Sequence, residues 1–158
     1  LQSIVYWQLG SLAKVDFSSI IAVLPFLIIG TLILFVLRWH MTILSLGDQQ
    51  ARLEGINVGM EQLLIITAST FLTAATVCLS GNIGWIGLVI PHVARLLVGD
   101  NTKETLPLAA VIGALFLLIV DTMARSLSAG EIPLSILTGF IGAPLFVYIL
   151  IKKKVQLN

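Results

Sequence analysis

The chain has 158 residues, 58% of them hydrophobic and 11% charged, with a net charge of +1 and a mean hydropathy of +1.05. A soluble domain carries about 25% charged residues and about 45–50% apolar ones, so disorder, nucleic-acid binding and a disulfide scaffold are excluded and an integral membrane protein embedded in lipid is indicated. One cysteine, Cys78, permits neither an internal disulfide nor a Cys-rich metal site. The chain starts at Leu1 without a basic region and cleavage site, and reads as a piece of a longer polypeptide or as a truncated one.

Residues 1–16 form a mixed segment in which Tyr6 and Trp7 suit a membrane interface. The uncharged run from Phe17 to Leu37 predicts a first span at about 19–37, closed by Arg38. Residues 38–60 read as a loop. The run from Gln62 to Ala94 is too long for one span and is broken by Ser80-Gly81-Asn82-Ile83-Gly84. It divides into a full helix at about 61–80 and a short one at about 85–98, in which Pro91 marks a kink or a broken segment. Two more spans follow at about 106–127 and 135–151, the last trailed by Lys152-Lys153-Lys154. The expected fold is all-α, a polytopic single transmembrane domain over 1–158 with about five helices, one of them short.

Placing the lysine tail inside puts Arg38, Arg52, Arg95 and Lys103 on the same side and leaves Lys14 and Arg125 outside. That asymmetry fits the positive-inside rule with a cytoplasmic C-terminus. It holds only if the short segment at 85–98 crosses the membrane.

No His-Glu-x-x-His or Cys-x-x-Cys occurs, and no lysine follows a glycine, so there is no Walker A loop. No catalytic residue, metal ligand or bound cofactor is expected. Asp121 is the one carboxylate well inside a span, and Arg125 four residues on reads as its ion-pair partner. An ion-coupled secondary transporter would need Asp121 and His92 as relay groups; a scaffold that moves no solute is the other rival. His92 reads either as a structural histidine or as a gate.

The inner segment 46–58 carries the most information. Gly47-Asp48 reads as a helix start with its acid at the positive end of the dipole, and Gly55 as a stop. The product is a short knob flanked by Leu46, Leu53 and Ile56, which serves either as a surface for a cytosolic partner or as an ordinary interfacial helix. Further on, Ser135, Thr138, Gly139 and Gly142 share one small-residue face, a pore wall or a helix-packing face.

The stretch Leu46-Gly47-Asp48-Gln49-Gln50-Ala51-Arg52-Leu53-Glu54-Gly55-Ile56-Asn57-Val58 resembles the coupling loop of FecCD-like permeases, the iron-siderophore, haem and vitamin B12 permeases of bacterial ABC importers. The resemblance continues through Gly81-Asn82-Ile83-Gly84-Trp85-Ile86-Gly87-Leu88-Val89-Ile90-Pro91-His92-Val93-Ala94-Arg95-Leu96, Glu131-Ile132-Pro133-Leu134 and Thr138-Gly139-Phe140-Ile141-Gly142-Ala143-Pro144-Leu145-Phe146. Trp7-Gln8-Leu9-Gly10-Ser11-Leu12 resembles the segment before the family's sixth helix. Gln49-Gln50 departs from the acidic or small residues found in many relatives.

Such permeases have ten helices, and the match is to the second half. The resemblance implies a subunit of an inner-membrane importer working with a second copy of itself, two ATPase subunits that use ATP and Mg, and a periplasmic or lipid-anchored binding protein. It implies ATPase coupling at Leu46, Gly47, Asp48, Ala51, Arg52, Gly55 and Val58. It further implies docking of the binding protein at Arg125, in competition with pairing to Asp121 or Glu131, and a pathway beside the last helix. The implied solute is a metal chelate such as a ferric siderophore, haem or cobalamin, or an oxyanion.

Overall fold

A computed structural model describes residues 2–12, 15–127 and 132–156. Among these the chain is helical without strands: α1 (Gln2–Gln8), α2 (Phe17–Ser45), α3 (Asp48–Leu53), α4 (Val58–Ser80), α5 (Ile86–Val98), α6 (Thr102–Leu127) and α7 (Leu134–Gln156). Four helices are long and apolar enough to cross a membrane, and α5 is a shorter apolar helix. The protein is a polytopic membrane protein of the expected all-α class.

Several boundaries depart from the expected ones. The helix of the first span does not stop at Leu37 but continues eight residues to Ser45, so 38–45 is helix rather than loop. The charge at Arg38 ends the apolar run, but nothing in 38–45 disfavours helix; Gly47, at φ +115°, performs the turn. Likewise α6 begins at Thr102 rather than 106, and α7 runs over Leu134–Gln156 rather than 135–151. Hydropathy marks the lipid-facing part of a helix, whereas its polar turns continue beyond. The segment before the first span holds a seven-residue helix, α1.

Capping sets the two main starts. Asp16 precedes α2, and its carboxylate accepts from the Phe17 N–H at 2.8 Å and from Ser18 Oγ at 3.1 Å. The Asn57 side chain accepts from the Met60 N–H at 3.3 Å at the head of α4.

Helices α2 and α4 pack closely. Gly30 is buried, and a Cβ there would lie 2.7 Å from Leu72 Cγ; Ala68 and Ala75 are buried on α4. Small residues let the backbones approach where apolar burial alone gives no drive between helices in lipid. Elsewhere little is enclosed: of the most apolar stretch of α6 only 6% is buried within the chain. The rest of that surface faces lipid or other helices.

Two apolar clusters mark the ends of the bundle. One joins Ile43, Ala51 and Val58; the other joins Val120, Ala124 and Leu134, with Leu12, Ile83 and Phe116 against it. At the second end the Ser11 N–H donates to the Ser80 carbonyl (2.9 Å), the Leu134 N–H to Gly10 (2.9 Å) and the Ser135 N–H to Leu9 (3.2 Å). At the first end the Thr102 N–H donates to Thr42 Oγ1 at 3.2 Å. Thus α4 ends, and α6 begins, at opposite ends of the bundle, and the segment between them makes the traverse. Its 13 helical residues supply about 20 Å, and 81–85 and 99–101 complete the crossing. The alternation needed by the charge asymmetry is met. Arg38, Arg52, Arg95, Lys103 and the last turns of α7 lie at the α3 end, and Arg125 lies at the other.

Candidate functional site

The knob is built on one buried alanine. After the turn at Gly47, Asp48 opens α3, and the Ala51 N–H donates to the Gly47 carbonyl at 3.1 Å. The helix closes with two bonds, Gly55 N–H to the Arg52 carbonyl (3.1 Å) and Ile56 N–H to the Ala51 carbonyl (3.0 Å). Together with φ +77° at Gly55, these form a Schellman motif, which needs a residue that tolerates the left-handed region. Ile56 then packs inward beside Ile43, Ala51 and Val58.

The seven expected coupling residues divide in two. Ala51 is fully buried and Val58 is 5% exposed; they anchor the knob to the bundle. Leu46, Gly47, Asp48, Arg52 and Gly55 face outward. Leu46 (70% exposed) and Leu53 (78%) present apolar surface beside the charges of Asp48, Arg52 and Glu54. The result is a compact, amphipathic projection of six helical residues. Of its expected apolar flank, Ile56 belongs to the base instead.

Sequence patterns missed the contacts behind the knob. His40 Nδ1 lies 3.0 Å from Glu61 Oε1, an ion-pair separation without the alignment of a hydrogen bond. Glu61 Oε2 is buried with no hydrogen-bond partner among the described residues. Lys103 Nζ sits 3.9 Å from the centre of the Trp39 ring. No motif links these positions, since they belong to different helices.

At the opposite end Arg125 is half-exposed, and its Nε donates to Asp121 Oδ2 at 2.8 Å. Glu131, the other candidate partner, lies outside the described residues. The His92 ring meets the Leu88 carbonyl through Nδ1 at 2.8 Å and stands edge-on to Phe146. Both groups that a relay would need, Asp121 and His92, thus have local partners.

The small-residue stripe of α7 is divided as well. Thr138 and Gly142 are buried, and a Cβ at Gly142 would lie 2.9 Å from Trp85 Cβ and 3.5 Å from Val89 Cγ2. At Gly142 the stripe is therefore a helix-packing face against α5. Ser135 and Gly139 border a shallow open groove with Ile136, Phe140, Ala143 and Pro144. Ser135 Oγ also donates to the Leu9 carbonyl. Trp85, which fills the gap over Gly139 and Gly142, has φ +68°, rare for a bulky residue.

Comparison with known proteins matches the FecCD transport family over residues 1–152. The chain belongs to the FecCD transport family. It is 43% identical over 155 residues to the molybdate import system permease protein of Haemophilus influenzae, covering 98% of this chain and 46% of that protein. It is 39% identical to a probable iron chelatin transport system permease protein of Helicobacter pylori (97% of this chain, 47% of that one). It is 36% identical to the cobalamin import system permease protein of Halobacterium salinarum (96% and 41%). A solved structure described as an inward-facing conformation of a putative metal-chelate type ABC transporter superposes with a TM-score of 0.89 at 42% identity, covering 96% of this chain and 49% of that chain. The chain thus spans about half the length of the curated relatives it matches.

Proposed function

We propose that the chain is the C-terminal half of the permease subunit of an ATP-driven importer, that the α3 knob receives the ATPase, and that the subunit itself makes no covalent bond. The observation that carries this reading is the knob, an exposed Leu46/Leu53 surface with flanking charges on a buried Ala51 foundation, in a chain of the FecCD family. A moving partner needs a stiff surface to push, and the paired bonds closing α3 supply stiffness.

In this reading two ATPase subunits consuming ATP and Mg dock on 46–58, and a second permease copy completes the pathway. A periplasmic or lipid-anchored binding protein docks at the Arg125 end, where a guanidinium suits carboxylates. The α3 end and the C-terminus face the cytoplasm, and the protein resides in the inner membrane. Ser135 and Gly139 border the pathway, while Thr138 and Gly142 set the position of α7. The relatives' names point to a metal chelate, haem, cobalamin or molybdate as solute.

The test is co-purification of the complete subunit with its ATPase, comparing wild type with Arg52→Glu and Gly55→Pro. Arg52→Glu reverses an exposed charge, and Gly55→Pro removes the N–H bonded to Arg52 and cannot adopt φ +77°. Both variants are expected to lose most of the ATPase while staying folded. Retention in both would move the docking surface elsewhere, and no ATPase with wild type would end the importer reading. With assembly secured, ATP-driven uptake in proteoliposomes of iron(III) citrate, haemin, cyanocobalamin and molybdate identifies the solute class.

A further inference from the structure

Helix α2 is 29 residues long, about 43 Å, and a hydrocarbon core is about 30 Å thick. Its last turns, 38–45, therefore project beyond the apolar layer, and they meet three other helices. The Trp39 ring lies under Lys103 of α6 at 3.9 Å. His40 Nδ1 lies 3.0 Å from Glu61 Oε1 of α4. Thr42 Oγ1 accepts from the Thr102 N–H of α6 at 3.2 Å. Ile43 packs with Ala51 of α3 and Val58 of α4.

We propose that this projecting end of α2 is the junction through which motion of the α3 knob reaches the bundle, with His40 and Glu61 as positioning residues that make α2 and α4 move together. The inference rests on α3 being the ATPase contact. The first argument is the knob's size. A six-residue helix buries one residue, Ala51, so a force on α3 enters the bundle where Ile43 and Val58 grip that alanine. The second is register. His40 precedes Ile43 by three residues and Glu61 follows Val58 by three, so in two antiparallel helices the polar pair lies one turn beyond the apolar pair on the same face. Apolar contacts alone permit sliding; a side-chain contact at fixed separation one turn away opposes it. The third is the link onward. The Trp39–Lys103 and Thr42–Thr102 contacts tie the same turns of α2 to the start of α6, whose last turns on the far side carry Asp121 and Arg125.

The complete transporter is assayed in proteoliposomes for uptake per ATP hydrolysed, using the solute returned by the uptake panel above. His40→Ala and Glu61→Ala are each expected to lower that ratio about fivefold, and the double variant no further, with ATPase co-purification at the wild-type level. A merely structural role would lower the amount of assembled complex instead of the ratio. The rescue variant is His40→Cys with Glu61→Cys in a Cys78→Ser background. Uncoupled as made, it is expected to regain most of the ratio when a short bis-methanethiosulfonate reagent bridges the two cysteines. An unchanged ratio in both alanine variants overturns the proposal, and so does a bridge that abolishes uptake. If wild type retains no ATPase, the proposed function itself fails, a result distinct from retained ATPase with unaltered coupling.

Discussion

Ala51 shows how much a single position carries. It has no exposed surface and sits where the knob meets α2 and α4. Its small side chain sets how closely α3 seats on Ile43 and Val58. Replacing it with leucine would overfill the contact, at a cost of about 1–3 kcal/mol. The expected outcome is a knob displaced from its base, read as faster limited proteolysis within 46–58 with little change in the apparent melting temperature of the bundle. Equal resistance to protease would mean that the base accommodates leucine. Gly55 is different: nothing lies within 4 Å of a Cβ placed there, so space does not require glycine. The requirement comes from φ +77° and the two bonds that end the helix.

The α5–α7 pair is governed by clearance. A Cβ on Gly139 would stand 3.4 Å from Trp85 Nε1, the rim of a ring, whereas one on Gly142 would stand 2.9 Å from Trp85 Cβ. The ring rim yields by rotation; the Cβ moves only with the backbone. Gly142→Ala is therefore expected to lower the melting temperature of the detergent-solubilised protein clearly, and Gly139→Ala by much less. Equal shifts would show that α7 is free to move away from Trp85 as a whole. The same comparison bears on the periodicity argument for α7. Spacing placed Ser135, Thr138, Gly139 and Gly142 on one face, and they do lie along one side. What faces that side is Trp85 at one edge and an open groove at the other, a distinction that depends on where α5 packs.

In the whole molecule, the hydrogen bonds at the two ends fix the order of crossings but not the direction across the membrane. The proposed direction gives an accessible test in the Cys78→Ser background. Leu53→Cys is expected to react with a membrane-impermeant maleimide only when the cytoplasmic face is open. Ser126→Cys, exposed near the opposite end of α6, is expected to react from outside in intact spheroplasts. Exchange of the two patterns would invert the topology and place the knob away from any cytosolic ATPase. The large apolar surface left uncovered, including Phe140 at 81% exposure, fits a chain that spans about half of its relatives.

From sequence alone, the membrane class, the order of the spans, the break at Ser80–Gly84, the short segment at 85–98 and the start and stop of α3 were all legible. Each depends on information within a turn or two: apolar run length, a glycine at positive φ, an acid at a helix start. The motif at 46–58 likewise lies in one continuous stretch. The tertiary structure alone decided where α2 ends, which half of the knob is buried, and that Gly142 belongs to a helix contact. It also brought together His40 with Glu61, Trp39 with Lys103, and Leu9 and Gly10 with the head of α7. These pairings join residues from 21 to more than 120 positions apart. Local pattern cannot choose them, because in an apolar bundle many helix rotations bury similar area. The choice falls to the fit of small residues such as Gly30 and Gly142 and to the few polar groups that must find partners.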